Sequence, residues 1–342
     1  MRVLIIKTSS LGDVIHTLPA ITDAVRAIPG ISFDWVVEES FAEIPRWHTG
    51  VRKIIPVALR RWRNHKIKAI RRKEFVNFIK NLRAEKYDYV IDAQGLIKSA
   101  LLTRLARGPR HGLHGESARE PLAAWAYKYK YKIEKEQHAI TRVRKLFSET
   151  LGYALNSESM PDYGLETSVF ENPAPGLPYV VFLHGTTWIT KHWPENYWCD
   201  LARQLEQANV QIKIPAGNDL ERKRALRIAA TTSNAEVLPP QDLRGMASWL
   251  AHARVVIAVD TGLSHLAAAF SVPCISMYGP TAPGLTGAIG AGQIHLNSKR
   301  ACAPCLRRRC MEPEIENDND AEPPCFSDIA PARVWSSLQP LL

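Results

Sequence analysis

Three observations predict an α/β chain of two doubly wound parallel sheets, one in each of two successive domains. They are its length, its alternation of short apolar runs with helix-period segments, and a proline-rich break near its middle. The 342 residues suit two domains at about 150 residues each. The break runs from Asn156 to Pro178, with Pro173, Pro175, Gly176 and Pro178 close together, and reads as a linker. We expect a first domain over 1–170, a second over 171–325 and a tail helix over 326–342. Two such domains facing a central cleft would place a ligand there.

In chain order, apolar runs at 2–6, 33–37, 53–57 and 88–92 read as strands, because short unbroken runs suit strands buried on both faces. Helical patterns fall near 13–28, 69–85, 96–106 and 118–150. After the linker, strands are expected at 179–184, 210–214, 255–259 and 273–278, with helices near 194–208, 220–230 and 242–252. The glycine-rich run Gly287 to Gly292 does not sit between a strand and a helix, so it reads as loop.

The chain is 46% hydrophobic with a formal charge of +10. That excess favours anionic partners: nucleic acid, acidic headgroups or phosphorylated small molecules. No run of about 20 uncharged apolar residues is present, so no bilayer span is expected. The opening Arg2-Val3-Leu4-Ile5-Ile6-Lys7 is too short and too soon charged for a signal peptide. A cytoplasmic protein is expected, its six cysteines thiols or metal ligands rather than disulfides.

The first strand ends in Lys7-Thr8-Ser9-Ser10-Leu11-Gly12-Asp13. A lone carboxylate there opens a helix at the carboxyl edge of a sheet, where α/β folds put ligands. It serves equally as a helix cap. The strand Val255–Val259 runs likewise into Asp260-Thr261-Gly262-Leu263-Ser264-His265. Gly262 allows close backbone approach and Thr261 with the next amides points outward; His265 alone suits packing, and beside Asp260 and Thr261 a ligand. In His184-Gly185-Thr186-Thr187-Trp188-Ile189-Thr190-Lys191, paired hydroxyls and a lysine beside a helix start can hold a diphosphate, or simply form a polar turn. The segment Arg60-Arg61-Trp62-Arg63-Asn64-His65-Lys66, continued by Lys68, Arg71, Arg72 and Lys73, offers an anion surface on the side of Asp13, as does Arg119. No helix-turn-helix, aromatic RNA-binding strand or zinc-finger spacing accompanies the charge. Cys302, Cys305, Cys310 and Cys325 allow a structural zinc tetrathiolate or plain reduced thiols; acidic ligands for a catalytic metal are not clustered.

Several motifs together carry a resemblance. The segments Lys7 to Pro19, Trp35-Val36-Val37-Glu38-Glu39, Ile91-Asp92-Ala93-Gln94-Gly95-Leu96 and Ser117-Ala118-Arg119-Glu120-Pro121 resemble the lipopolysaccharide heptosyltransferase I family. So do Lys191-His192-Trp193-Pro194 and Val259 to His265. These are inverting glycosyltransferases of the two-domain GT-B type, and the likeness reaches to about residue 290. It implies transfer of L-glycero-D-manno-heptose from ADP-heptose to the inner Kdo of Kdo-lipid A, without cofactor or catalytic metal, at the inner face of the inner membrane. It implies Asp13 as general base. Donor contacts would be Thr186, Thr187, Lys191, Glu221, Gln241, Asp260, Thr261, Gly262 and His265. Ser10, Arg60, Arg63 and Arg119 would meet the acceptor. The cysteine-bearing tail is closer to heptosyltransferase II and wider relatives, so a transferase with another acceptor is the alternative reading. A basic nucleic-acid-binding protein is the alternative of another class.

Overall fold

The computed structural model describes residues 1–64, 68–311 and 323–342; His65, Lys66 and Ile67 of the basic segment lie outside them. The chain divides into two compact units, Met1–Leu165 and Glu166–Leu342.

The first unit is built on six parallel strands, β1 (Arg2–Ile6), β2 (Ser32–Glu38), β3 (Val51–Val57), β4 (Tyr89–Asp92), β5 (Arg110–Leu113) and β6 (Tyr129–Tyr131). Their order is β3-β2-β1-β4-β5-β6. Val3 to Ile6 are wholly buried, as a central parallel strand covered on both faces must be. Val3 lies opposite Phe33 on one side and Tyr89 on the other. The chain winds outward from β1 in one direction and then from β4 in the other. The loops after β1 and β4 therefore diverge, leaving a crevice at the strands' carboxyl ends.

The helix expected over 118–150 is not formed as one element. Pro121–Ala126 is a 3-10 turn, Tyr129–Tyr131 is the edge strand, and the helix proper is Ala139–Leu151. The run Leu122-Ala123-Ala124-Trp125-Ala126 has helix-forming composition, but Lys128-Tyr129-Lys130-Tyr131-Lys132 alternates with period two and pairs with β5. Strand pairing overrides the local propensity. The true helix is capped by His138, whose Nδ1 accepts the Ile140 N–H, and ends at Gly152 with φ 76°.

The second unit repeats the plan with β7 (Tyr179–Leu183), β8 (Gln211–Ile214), β9 (Ala235–Val237), β10 (Val255–Val259), β11 (Cys274–Tyr278) and β12 (Gln293–Asn297). The order β12-β11-β10-β7-β8-β9 puts its switch point between β7 and β10. Its core includes Phe182, Trp193 and Trp198, the two indoles edge-on at 5.0 Å. Trp193 donates its indole N–H to Ile329 O at 2.8 Å, and Val334 and Leu338 of the last long helix, Pro331–Leu338, join the same core. The tail helix is therefore packed into this unit. No helix among the described residues is long and apolar enough to cross a membrane.

Three buried histidines set an acid limit on stability. Burial pushes His48, His111 and His184 from 6.5 down to about 4. His48 is held neutral by the Gly50 N–H at Nδ1 (3.0 Å), which leaves Nε2 to bond Thr22 Oγ1 at 2.9 Å. Because their folded pKa is depressed, the unfolded chain binds more protons than the folded one between the two values. Their stabilisation is complete above about pH 6.5 and is lost as the pH falls towards 4, at up to about 1.4 kcal/mol per pH unit for each. Thermal unfolding followed from pH 7 to 4 should show a falling midpoint with proton uptake. A flat midpoint over that range contradicts the assignment.

Candidate active site

At the switch point of the first sheet, Asp13 is the third residue of the helix Leu11–Ile15. Its Oδ2 accepts the Ser10 backbone N–H at 2.8 Å and the Ser10 hydroxyl at 2.9 Å. Its Oδ1 lies 3.5 Å from the buried Lys7 ammonium, which also donates to Ala93 O at 3.0 Å. Asp13 thus caps its helix, yet its side chain stays 35% exposed. Burial raises its pKa, but Lys7, the Ser10 hydrogen bonds and Arg119 together outweigh that and hold the carboxyl below its ordinary 3.8. It is a carboxylate at neutral pH.

The β4 loop closes on the same place. Asp92 Oδ1 accepts the N–H groups of Gln94 and Gly95, and Gln94 Oε1 accepts the Thr8 N–H at 2.8 Å and hydroxyl at 2.7 Å. Lys98 donates to Ser9 Oγ at 3.2 Å. Its pKa is lowered by burial, with Glu38, Arg60, Asp13 and Glu120 all within its electrostatic reach. Arg60 donates its N–H to Glu38 Oε1 at 3.1 Å, and its guanidinium sits 5.0 Å from the Phe41 ring centroid. Ser10, Arg60 and Arg119 therefore share one neighbourhood with Asp13. Arg63 is exposed on the same segment. Arg61 between them is held by Glu39 and Glu74 at 2.8 and 2.9 Å, which makes it a structural pin.

At the second switch point the loops after β7 and β10 are bonded directly: the Thr186 hydroxyl donates to Asp260 O at 3.2 Å. Lys191 pairs with Asp260 Oδ2 at 2.6 Å, and the Thr281 hydroxyl reaches the same oxygen at 2.7 Å. The Lys191 ammonium also lies 4.4 Å from the Trp188 ring centroid, with the Arg308 guanidinium 5.1 Å from the same ring. Thr187 is exposed beside them. The helix Gly262–Ala269 starts here, with Thr261 at its cap and no side-chain cap bond. Its first amides and dipole favour an anion. His265 is buried on that helix. Glu221 accepts the Gly217 N–H at 2.8 Å and the Asn218 amide at 2.9 Å; a side chain on Gly185 would meet its carboxyl carbon at 2.6 Å. Glu221 and the end of β7 are thus in contact. Gln241 donates to Pro239 O at 2.9 Å in the turn before the helix Leu243–Ala251.

Sequence reasoning missed Lys7, Lys98 and Thr281. Lys7 carried a signal, a lysine closing an otherwise apolar buried strand; Lys98 and Thr281 carried none. It also missed His184, buried at the end of β7. The four tail cysteines do line one cavity of about 20 Å³ together with Thr190 and Gly279. Among the described residues, however, no three His, Cys, Asp or Glu are grouped as metal ligands. Cys302, Cys305 and Cys310 all lie within electrostatic reach of the Cys325 thiol, whose pKa burial pushes up to about 12.

Two parallel six-stranded sheets of this order, one presenting a carboxylate among cations and the other a lysine, hydroxyls and a helix start, match the GT-B-like fold of the glycosyltransferases. The chain belongs to glycosyltransferase family 9 (heptosyltransferase), whose sequence model matches residues 75–316. It is 53% identical to lipopolysaccharide heptosyltransferase 1 of Pseudomonas aeruginosa over 100% of this chain and 98% of that protein. It is 51% identical to the Escherichia coli K12 protein of the same name over 88% and 94%. Among solved structures, Escherichia coli heptosyltransferase WaaC with ADP is similar at TM-score 0.88 and 45% identity, covering 100% of both chains. The Asp13 segment precedes the region matched by the family model and falls within the full-length match to the Pseudomonas protein.

Proposed function

We propose that this chain transfers L-glycero-D-manno-heptose from ADP-heptose to the inner Kdo of Kdo-lipid A, with inversion, at the inner face of the inner membrane. The observation that carries the reading is the Asp13 carboxylate, fixed by Ser10 and Lys7 at the carboxyl edge of β1 with Arg119 in electrostatic reach. An acidic sugar acceptor needs cations to hold it and a base to take the proton of its attacking hydroxyl. Arg60, Arg119, Lys98 and exposed Arg63 supply the charge, with Ser10 positioning the base. The second unit supplies the complement: Lys191, Thr186, Thr187 and the amides at Thr261 and Gly262 for the diphosphate, and Glu221 for the ribose. The relatives named lipopolysaccharide heptosyltransferase 1 support the heptosyl donor. So does a solved relative carrying ADP-2-deoxy-2-fluoro heptose, 50% identical over 87% of this chain.

Asp13 accepts the hydroxyl proton as the oxygen attacks the anomeric carbon, and ADP departs as its new charge meets the lysine and the helix start. With a depressed pKa, Asp13 is a weak base. The proton therefore moves late, when the developing oxocarbenium has made the hydroxyl acidic. The test is to incubate purified protein with ADP-heptose and either Kdo-bearing or already heptosylated acceptors, then weigh the products. One heptosyl unit should appear on the Kdo acceptor. Product only on the heptosylated acceptor would reassign the enzyme to another step.

A further inference from the structure

We propose that the surface formed by the helix Ile97–Leu105 and the turn Pro121–Ala126 docks the protein onto an anionic lipid bilayer; this rests on the reading of a lipid-anchored acceptor. On the helix, Ile97 and Leu101 are exposed one turn apart, and Arg104 continues the same face. On the turn, Leu122 is 70% and Trp125 50% exposed, three residues apart and so stacked on one side of a 3-10 turn. The two segments make one surface. Ala100 packs with Ala123, Ala124 and Ala126 in a small core beneath, and the Arg104 guanidinium lies 4.7 Å from the Trp125 ring centroid.

Four large apolar side chains held in water with an arginine over the indole have the make-up of an interfacial anchor. Leu and Ile enter the acyl boundary, Trp prefers the headgroup level, and cations meet acidic lipid. Lys128 and Lys130, on the edge strand that follows the turn, are exposed and extend the positive rim. Position supports the bilayer over a protein partner. Arg119 lies two residues before the turn, and Glu120 Oε2 accepts the Ile97 N–H at 2.7 Å. The acceptor-binding cations thus adjoin the patch. A sugar still attached to its lipid could reach Arg119 while its acyl chains remained in the membrane.

The test uses full-length protein, phosphatidylethanolamine–phosphatidylglycerol vesicles and phosphatidylcholine vesicles. Wild type should co-sediment with the former, less so at high salt, and weakly with the latter. Leu122→Asp/Trp125→Asp should lower partitioning by about tenfold or more, given the apolar area each side chain would bury. Ile97→Asp/Leu101→Asp, on the other segment, should do the same, so that a folding defect in one pair cannot mimic the result. Transfer to vesicle-embedded acceptor should fall in parallel, while transfer to a deacylated, water-soluble acceptor holds at wild-type rate. Wild type that ignores anionic vesicles, or variants that partition like wild type, overturn the proposal. So does a wild-type dimer that the substitutions dissociate, since the patch would then be covered by a second copy. Absent transfer to both acceptors with vesicle binding intact would instead reject the catalytic reading and leave the docking surface standing.

Discussion

Asp13→Asn should lower the transfer rate by about 10²–10⁴-fold, the usual contribution of a positioned base, while ADP binds as tightly as to wild type. Asparagine keeps the shape, and its amide oxygen can still accept the Ser10 N–H that now reaches Oδ2 at 2.8 Å. The helix cap therefore survives and the ability to take a proton does not. Asp13→Ala removes both, so it should add a loss of about 1 kcal/mol of stability from the cap. Equal rate losses in the two variants, with unequal stability, would separate base from cap. ADP affinity is the control, because every residue assigned to the nucleotide belongs to the second unit. Wild-type turnover in Asp13→Asn would leave the carboxylate as a cap only.

The same residue fixes the acid side of the pH–rate profile. Lys7, the Ser10 bonds and Arg119 hold Asp13 below 3.8 against the opposing effect of burial. A base whose pKa is depressed stays ionised as the pH falls, so loss of activity between pH 7 and 5 should not follow its titration. Lys7→Met removes the nearest cation, and burial then acts with less opposition. The pKa of Asp13 rises and the acid limb moves to higher pH. A limb that stays in place in Lys7→Met shows that Lys7 does not set the base.

How much was legible follows from which residues carry a local signal. The central strands β1, β4, β7 and β10 are short apolar runs, and those four create both switch points, so the sites could be located before their geometry was known. The strands missed, Arg110–Leu113, Tyr129–Tyr131, Ala235–Val237 and Gln293–Asn297, lie towards the ends of their sheets. Three to five residues with polar members carry no apolar run, and only pairing with a neighbour makes them strands. The site divides in the same way. Asp13 and Asp260 follow apolar strands at a glycine-bearing turn and stand out. Lys98 matters only because the β4 loop folds back on Ser9, and Thr281 only because the β11 loop returns to Asp260. The Lys191–Asp260 ion pair was invisible for the same reason: each residue was assigned to the donor, and nothing in sequence spacing says that they neutralise each other.

That pair makes Lys191→Ala the most informative change in the second unit. Lys191 and Asp260 are 15% and 10% exposed with 2.6 Å between charged atoms, so removing the ammonium leaves a buried carboxylate without its counter-charge, its Oδ2 held by the Thr281 hydroxyl. Breaking a buried pair on one side costs about 3–5 kcal/mol, and the thermal midpoint should fall accordingly. The ammonium is paired with Asp260, the residue just before the Thr261 cap of the helix that starts at Gly262, and loss of such a group facing a departing phosphate typically costs about 10²–10³-fold in rate. The two effects part in the double variant. Lys191→Met with Asp260→Asn removes both charges, which should restore most of the stability while transfer stays low. The nucleotide series gives a second separation, since Lys191→Ala should weaken ADP strongly and adenosine hardly at all. If ADP affinity and turnover both hold in Lys191→Ala, or if the double variant regains full transfer, the lysine is a structural counter-ion and the diphosphate is held by the helix amides and threonines alone.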